Sequence, residues 1–227
     1  SGRYRTDSGR RFIASVPAPI PVDGAWTVRF QPDRGAPAKI TLPRLETLSR
    51  HADVGVRHFS GTATYERSIA VPAATLKQGR RIYLDLGRVE VLSSVKVNGK
   101  ELGVVWKEPY RVDITDVVKP GANSLSLAVT NLWANRMIAD AALPEEGNYV
   151  DAEWPVGERF LADGTKTPIM ARKITELPDW YKAGDAKPVG GRVTFTPWTF
   201  YGKDEPLLDS GLLGPVRLVF AEDIVIR

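Results

Sequence analysis

Apolar and polar residues alternate along this chain in short runs, most completely over residues 95–131. In VKVNGKELGVV, Asn98-Gly99 separates two extended-type runs. That dipeptide favours the positive φ angles of a tight turn, so VKV and ELGVV are predicted to pair as an antiparallel hairpin. Residues 110–114 alternate as a half-buried strand should. Thr115 is placed to cap one turn, TDVVK, which Pro120-Gly121 ends. Leu125, Leu127 and Val129 then share one face of a strand, and Ser124, Ser126, Ala128 and Thr130 the other. Asn131 has the parity of the apolar set and is expected to turn inward where the strand ends.

The same alternation predicts strands over residues 11–16, 25–30, 61–71, 80–86, 192–198 and 215–221. Arg67 shares parity with Tyr65, Ile69 and Val71 and must leave at an edge or meet an acid. Ile82, Leu84 and Leu86 form one inward set, and Val91, Ser93, Val95 and Val97 another. Residues 31–39 read as a Pro/Gly loop, and 45–50 as one helical turn. Pro17, Pro19 and Pro21 stiffen a connector, because each fixes φ and lacks an amide donor. Closely spaced strands without a long amphipathic helix predict an all-β sandwich, its last strands completing sheets begun near residue 25.

Residues 132–190 break the pattern. They carry little period-2 signal, five prolines and three of the six tryptophans. A long irregular insertion is expected there, packed around its tryptophans, with a short helix over 170–177. The organisation is thus residues 1–18 as a strand or tail of a preceding domain, and 19–227 as the sandwich with insertion 132–190. The opening SGRYRTDSGR reads as the middle of a longer protein.

Composition narrows the classes. The chain has 227 residues, 43% hydrophobic and 26% charged, enough apolar content for a core. Its net charge of +4 lies mostly in the first eleven residues, where Arg3, Arg5, Arg10 and Arg11 oppose Asp7 alone. The balanced remainder argues against a nucleic-acid groove. Without cysteine there is no disulfide and no thiolate metal site. No apolar run reaches the length of a membrane-spanning helix, so no membrane partner is expected.

The VNG hairpin, a loop ending in an aromatic, the DIT turn and the strand GANSLSLAVTN resemble, in that order, the sugar-binding β-sandwich of glycoside hydrolase family 2. Three later segments, TNLWANRMIADAALPEEGNY, LPDWYKAGDAKPVGGRVTFTPW and KDEPLLDSGLLGPVRL, are similar to the C-terminal part of family 106 α-L-rhamnosidases. The likeness runs over about residues 19–220. NLWANR and SGLLGPV together are its most specific part, although Ala134 and Ala139 stand where that family usually has Pro and Gly. The resemblance implies a jelly-roll, galactose-binding-like sandwich. It further implies an accessory domain without catalysis of its own, packed beside a catalytic barrel or binding a rhamnose-containing polysaccharide, in a periplasmic or secreted bacterial hydrolase. The catalytic acids of those enzymes lie in the barrel, so no catalytic residue is carried over. A self-sufficient carbohydrate-binding module, or a hydrolase with acids in 132–190, are the other readings.

Aromatic rings stack on the apolar face of a pyranose, while carboxylates, amides and guanidinium groups take its hydroxyls. One candidate cluster is Trp106, Glu108, Tyr110 and Arg111, whose aromatics could equally cap the core. A second is Asn131, Trp133, Asn135 and Arg136, where Asn131 could satisfy a turn and Arg136 could stack on Trp133. Glu145, Glu146, Asp151, Glu153 and Glu158 contain enough carboxylates for glycosidase chemistry, but a run of acids is ordinarily a solvated face. His51 and His58, with Asp53 between them, offer too few ligands for a local metal site. No cofactor is required. A structural calcium, common in jelly-roll domains, stays open because it has no compact signature.

Overall fold

A computed structural model describes residues 2–7, 9–161 and 163–222. β1 (Gly2–Arg5) and β2 (Arg11–Ala14) form a two-stranded sheet. β3 (Ile20–Pro21) follows the prolines, and β4 (Trp26–Phe30) and β5 (Lys39–Leu42) flank the Pro/Gly loop. A 3₁₀ turn at Leu48–Arg50 precedes the one-turn α1 (Val54–Arg57). The Asp53 carboxylate accepts the Val56 N–H at 3.0 Å and caps that turn.

β6 (Thr62–Val71), β7 (Arg80–Asp85), β9 (Leu92–Val97), β10 (Lys100–Val105), β11 (Arg111–Asp113) and β12 (Gly121–Thr130) are the strands the alternation announces, and the short β8 (Arg88–Glu90) lies among them unannounced. α2 (Ala134–Asp140), β13 (Asn148–Phe160), β14 (Lys166–Glu176) and α3 (Asp179–Ala183) follow, then β15 (Gly211–Gly214) and β16 (Arg217–Glu222).

Two antiparallel sheets make the sandwich. The larger has the order β10-β9-β12-β6-β4-β5 and the smaller β11-β7-β16-β3. Trp26, Val28, Tyr65, Val95, Val97, Leu125, Leu127 and Val129 of the larger sheet bury their side chains in the same core as Ile82, Leu84, Leu218 and Phe220 of the smaller. Each such side chain contributes about 1.5–3 kcal/mol on burial, so the alternation has a direct energetic cause. β16 joins β7 and β3, not the sheet of β4 as expected.

The hairpin turn is as predicted, with φ of 50° at Asn98 and 81° at Gly99. Asn98 also has a tertiary role. Its Nδ2 donates to Asn123 Oδ1 at 2.7 Å, and its Oδ1 accepts the Ser124 N–H. Asn123, 1% exposed, accepts the Lys119 N–H and donates to the carbonyls of Lys119 and Gly121. The asparagines of VNG and GAN are therefore one polar network joining two strands, buried at Asn123 and open to solvent at Asn98. Thr115 does not cap its turn as expected. Its hydroxyl accepts the Ile82 N–H at 2.9 Å and donates to Asp113. Arg67 feels the charge of Asp23 but forms no ion pair among the described residues. It spreads over the Trp26 ring and donates to the carbonyls of Val22, Asp23 and Gly24.

Residues 132–190 are more ordered than the sequence suggested. β13 and β14 pair as one long ribbon with register shifts near Pro155. The expected helix over 170–177 is strand, because Met170, Ile174 and Leu177 have helical spacing but pairing with β13 prevails. Residues 192–198 do not form a regular strand. They run beside β14, with one bridge between Ala171 and Trp198. Trp154, expected to be packed, is 71% exposed on the ribbon.

Candidate functional site

The register brings both candidate clusters to one end of the sandwich. In the larger sheet Val105 pairs with Ser93, Leu92 with Thr130, and Thr130 with Thr62. The ends of β10 and β12 and the starts of β9 and β6 therefore lie together. In the smaller sheet Asp85, at the end of β7, pairs with Arg111 and Arg217 at the starts of β11 and β16. The loop 106–110, and residues 86–91 by way of β8, run from one group of strand ends to the other, so the ends coincide.

Trp106 is 64% exposed, with the Lys107 ammonium 5.6 Å from its ring centre. It does not cap the core. Glu108 is exposed beside it. Tyr110 is half-buried against the core, and its carbonyl accepts the Leu86 N–H at 2.8 Å. Arg111 is held in the fold, donating to Asp85 Oδ2 at 2.8 Å. Burial would raise the Asp85 pKa. The Arg111 hydrogen bond, the Gly87 N–H and the charges of Arg111 and Arg217 outweigh it and hold the carboxyl below the usual range.

In the second cluster the polar groups serve the fold. Asn131 Oδ1 accepts the Gly61 N–H and its Nδ2 donates to the Phe59 carbonyl, each at 2.8 Å. Asn135 does the same with the N–H and carbonyl of Leu208, again at 2.8 Å. Arg136 is buried and paired with Asp140 at 2.8 Å. Trp133, 41% exposed, stacks on Arg34 at 4.7 Å and not on Arg136. Trp106, Glu108 and Trp133 thus face outward at this end.

Residues that the sequence reading missed complete it. Arg88, Glu90, Leu132, Leu208 and Asp209 line a crevice of about 240 Å³ together with the already named Asn131 and Asn135. Arg88 bridges Glu90 at 2.8 Å and Asp209 at 3.0 Å. Arg88 and Glu90 are two apart, which puts both on one side of a strand, and this was the available signal.

The other candidates are dispersed. Glu145 pairs with Arg172 and Arg192, Glu146 with Lys187 and Glu158 with Lys166, while Asp151 and Glu153 are exposed on the ribbon. His58 Nδ1 lies 3.0 Å from the Val54 carbonyl, and His51 Nδ1 accepts the Asp53 N–H. Among the described residues no group of three His, Asp or Glu is arranged to hold a metal.

These features define an all-β, galactose-binding-like sandwich whose end loops are anchored by side-chain amides. Residues 47–177, more than half of the chain, match the family described as glycosyl hydrolase 2 galactose-binding domain-like, and the chain belongs to that family. A Formosa agariphila protein named "Putative beta-glucuronidase" is 39% identical over 218 residues, covering 95% of this chain and 17% of its own length. The solved structure of a rhamnosidase from Novosphingobium sp. PP1Y is 36% identical, with a TM-score of 0.65 over 93% of this chain and 16% of that one. The chain therefore spans about a sixth of the length of these relatives.

Proposed function

We propose that the chain is a non-catalytic accessory domain of a rhamnosidase-like glycoside hydrolase of family 106, and that the Trp106 end of the sandwich meets carbohydrate beside a catalytic barrel. The observation that carries this reading is the exposed Trp106, next to Glu108, on a loop anchored by Tyr110 and the Arg111–Asp85 pair. An exposed ring on a fixed loop can stack on a sugar with little ordering cost. Supporting it, NLWANR and SGLLGPV meet in space, since Asn135 clamps Leu208 just before SGLLGPV. The similarity to a rhamnosidase of far greater length fits an accessory role.

Calorimetric titration with rhamnose-containing polysaccharides tests it. Saturable binding to the intact chain, weakened about ten-fold or more in Trp106→Ala with an unchanged melting curve, is expected. The chain alone is expected not to hydrolyse an aryl rhamnoside. Enzyme-like turnover, or binding indifferent to Trp106, would sink the proposal. A self-sufficient binding module is the second reading, favoured by Trp106 and Trp133 both being exposed at one end. It requires comparable affinity in the isolated chain and in the full-length protein.

A further inference from the structure

A second cavity, of about 320 Å³, lies between α2, β14 and residues 192–203. That volume is near the lower end of the range for small-ligand sites, about 300 Å³. Its lining includes Glu145, Arg172, Arg192, Trp198, Phe200 and Lys203.

The wall is fixed by its own bonds. Asp140 Oδ2 accepts from the Val193 N–H, the Thr194 N–H and the Thr194 hydroxyl. Thr196 accepts the Trp198 N–H at 3.2 Å, and the Thr199 N–H donates to the Met170 carbonyl at 3.0 Å. Arg192 is tied to the carbonyls of Leu143 and Pro144. Trp198, so held, is still 44% exposed, with the Phe200 ring 5.3 Å away.

Charge gives the cavity its character. Asp140 is balanced by Arg136 at 2.8 Å. Arg172 and Arg192 then converge on the single carboxylate of Glu145, at 2.5 and 3.3 Å. Two guanidinium groups share one counter-charge, and Lys203 adds a third cation to the lining. Arg172 Nε is buried without a hydrogen-bond partner. An anion entering here would find guanidinium donors suited to planar carboxylates, and a ring to stack its sugar face on.

From this juxtaposition we infer a second carbohydrate site, selective for a hexuronate residue. The carboxylate is taken by Arg172 and Arg192, and the pyranose face lies on Trp198. This site does not depend on the Trp106 reading, and the two can fail separately.

The test is calorimetric titration of the 227-residue chain with trigalacturonate, its methyl ester and inorganic sulfate. Saturable trigalacturonate binding is expected, about ten-fold weaker or more for the methyl ester. The same loss is expected in Trp198→Ala and Arg192→Gln. Arg192 also braces the 143–144 backbone, so the exposed Trp198 is the deciding variant, with melting curves as the control. Equal binding of ester and acid would remove the guanidinium role. Sulfate binding as tightly as trigalacturonate would leave a bare anion site, and indifference to Trp198→Ala, or no binding, would overturn the inference.

Discussion

Asn123 has both ends of its amide engaged while 1% exposed, and Asn98 is its partner. Leucine would fill much of the volume but remove the partner of the Lys119 N–H, of the Asn98 amide and of the carbonyls of Lys119 and Gly121. Asn123→Leu is therefore expected to cost about 2–3 kcal/mol, measured by urea unfolding, and a loss under half that would show that water replaces the amide. Gly211 is constrained differently. Its φ is 93°, and a Cβ there would run into the Tyr65 hydroxyl and Leu48. That hydroxyl accepts the Leu212 N–H at 3.2 Å, and burial raises the Tyr65 pKa far enough to keep it protonated. Gly211→Ala is expected to destabilise by about 2 kcal/mol or more, read from the same unfolding curves.

The strands divide into two kinds. β6 and β12 are each paired on both sides within the larger sheet and contribute side chains to the core. β13 and β14 pair with each other, and Val150, Trp154, Val156 and Phe160 are all more than half exposed. A two-stranded ribbon with an open apolar surface is held by its own ladder and by a few polar ties to Glu145, Pro197, Thr199 and Glu205, without a buried core face. Its surface ion pair Lys166–Glu158, with both side chains 59% exposed, adds only about 0–1 kcal/mol. Hydrogen exchange should therefore give full protection to the amides of β6 and β12 and fast exchange along β13 and β14. Equal protection would mean that the ribbon is covered by something in solution.

Across the whole molecule, acid acts through groups whose pKa values folding lowers. His58 is lowered mainly by burial, and Asp85, Asp113 and Glu205 by hydrogen bonds and cations that outweigh their burial. In each case the unfolded chain takes up the proton first as pH falls. The His58 contribution is complete above about pH 6.5 and the carboxylate contributions above about pH 4. Each is lost as pH falls through the lower folded value. Melting temperature is expected to be flat near neutrality, to decline slightly below about pH 6.5 and to fall steeply below about pH 4. Asp85→Asn should flatten part of the steep limb, and an unaltered acid profile in that variant would remove Asp85 as a cause.

The sequence by itself determined the sandwich. Alternation at residues 80–86, 91–97 and 124–130 follows from one face of each strand being buried, and the Asn98-Gly99 turn follows from local φ preference. Both causes act within a few residues, so they can be read along the chain. The ribbon was not legible, because without a buried face it carries no alternation, and the register shifts near Pro155 scramble what remains. The roles of Asn131, Asn135 and Arg136 were open for a related reason. Amides and guanidinium groups are written identically whether they bind a sugar or a backbone. Only the tertiary structure placed Gly61, Leu208 and Asp140 against them and left Trp106 facing outward. Strand register also decided that Trp106 and Trp133 share one end, because it is set by pairing between distant segments and not by any neighbour in sequence.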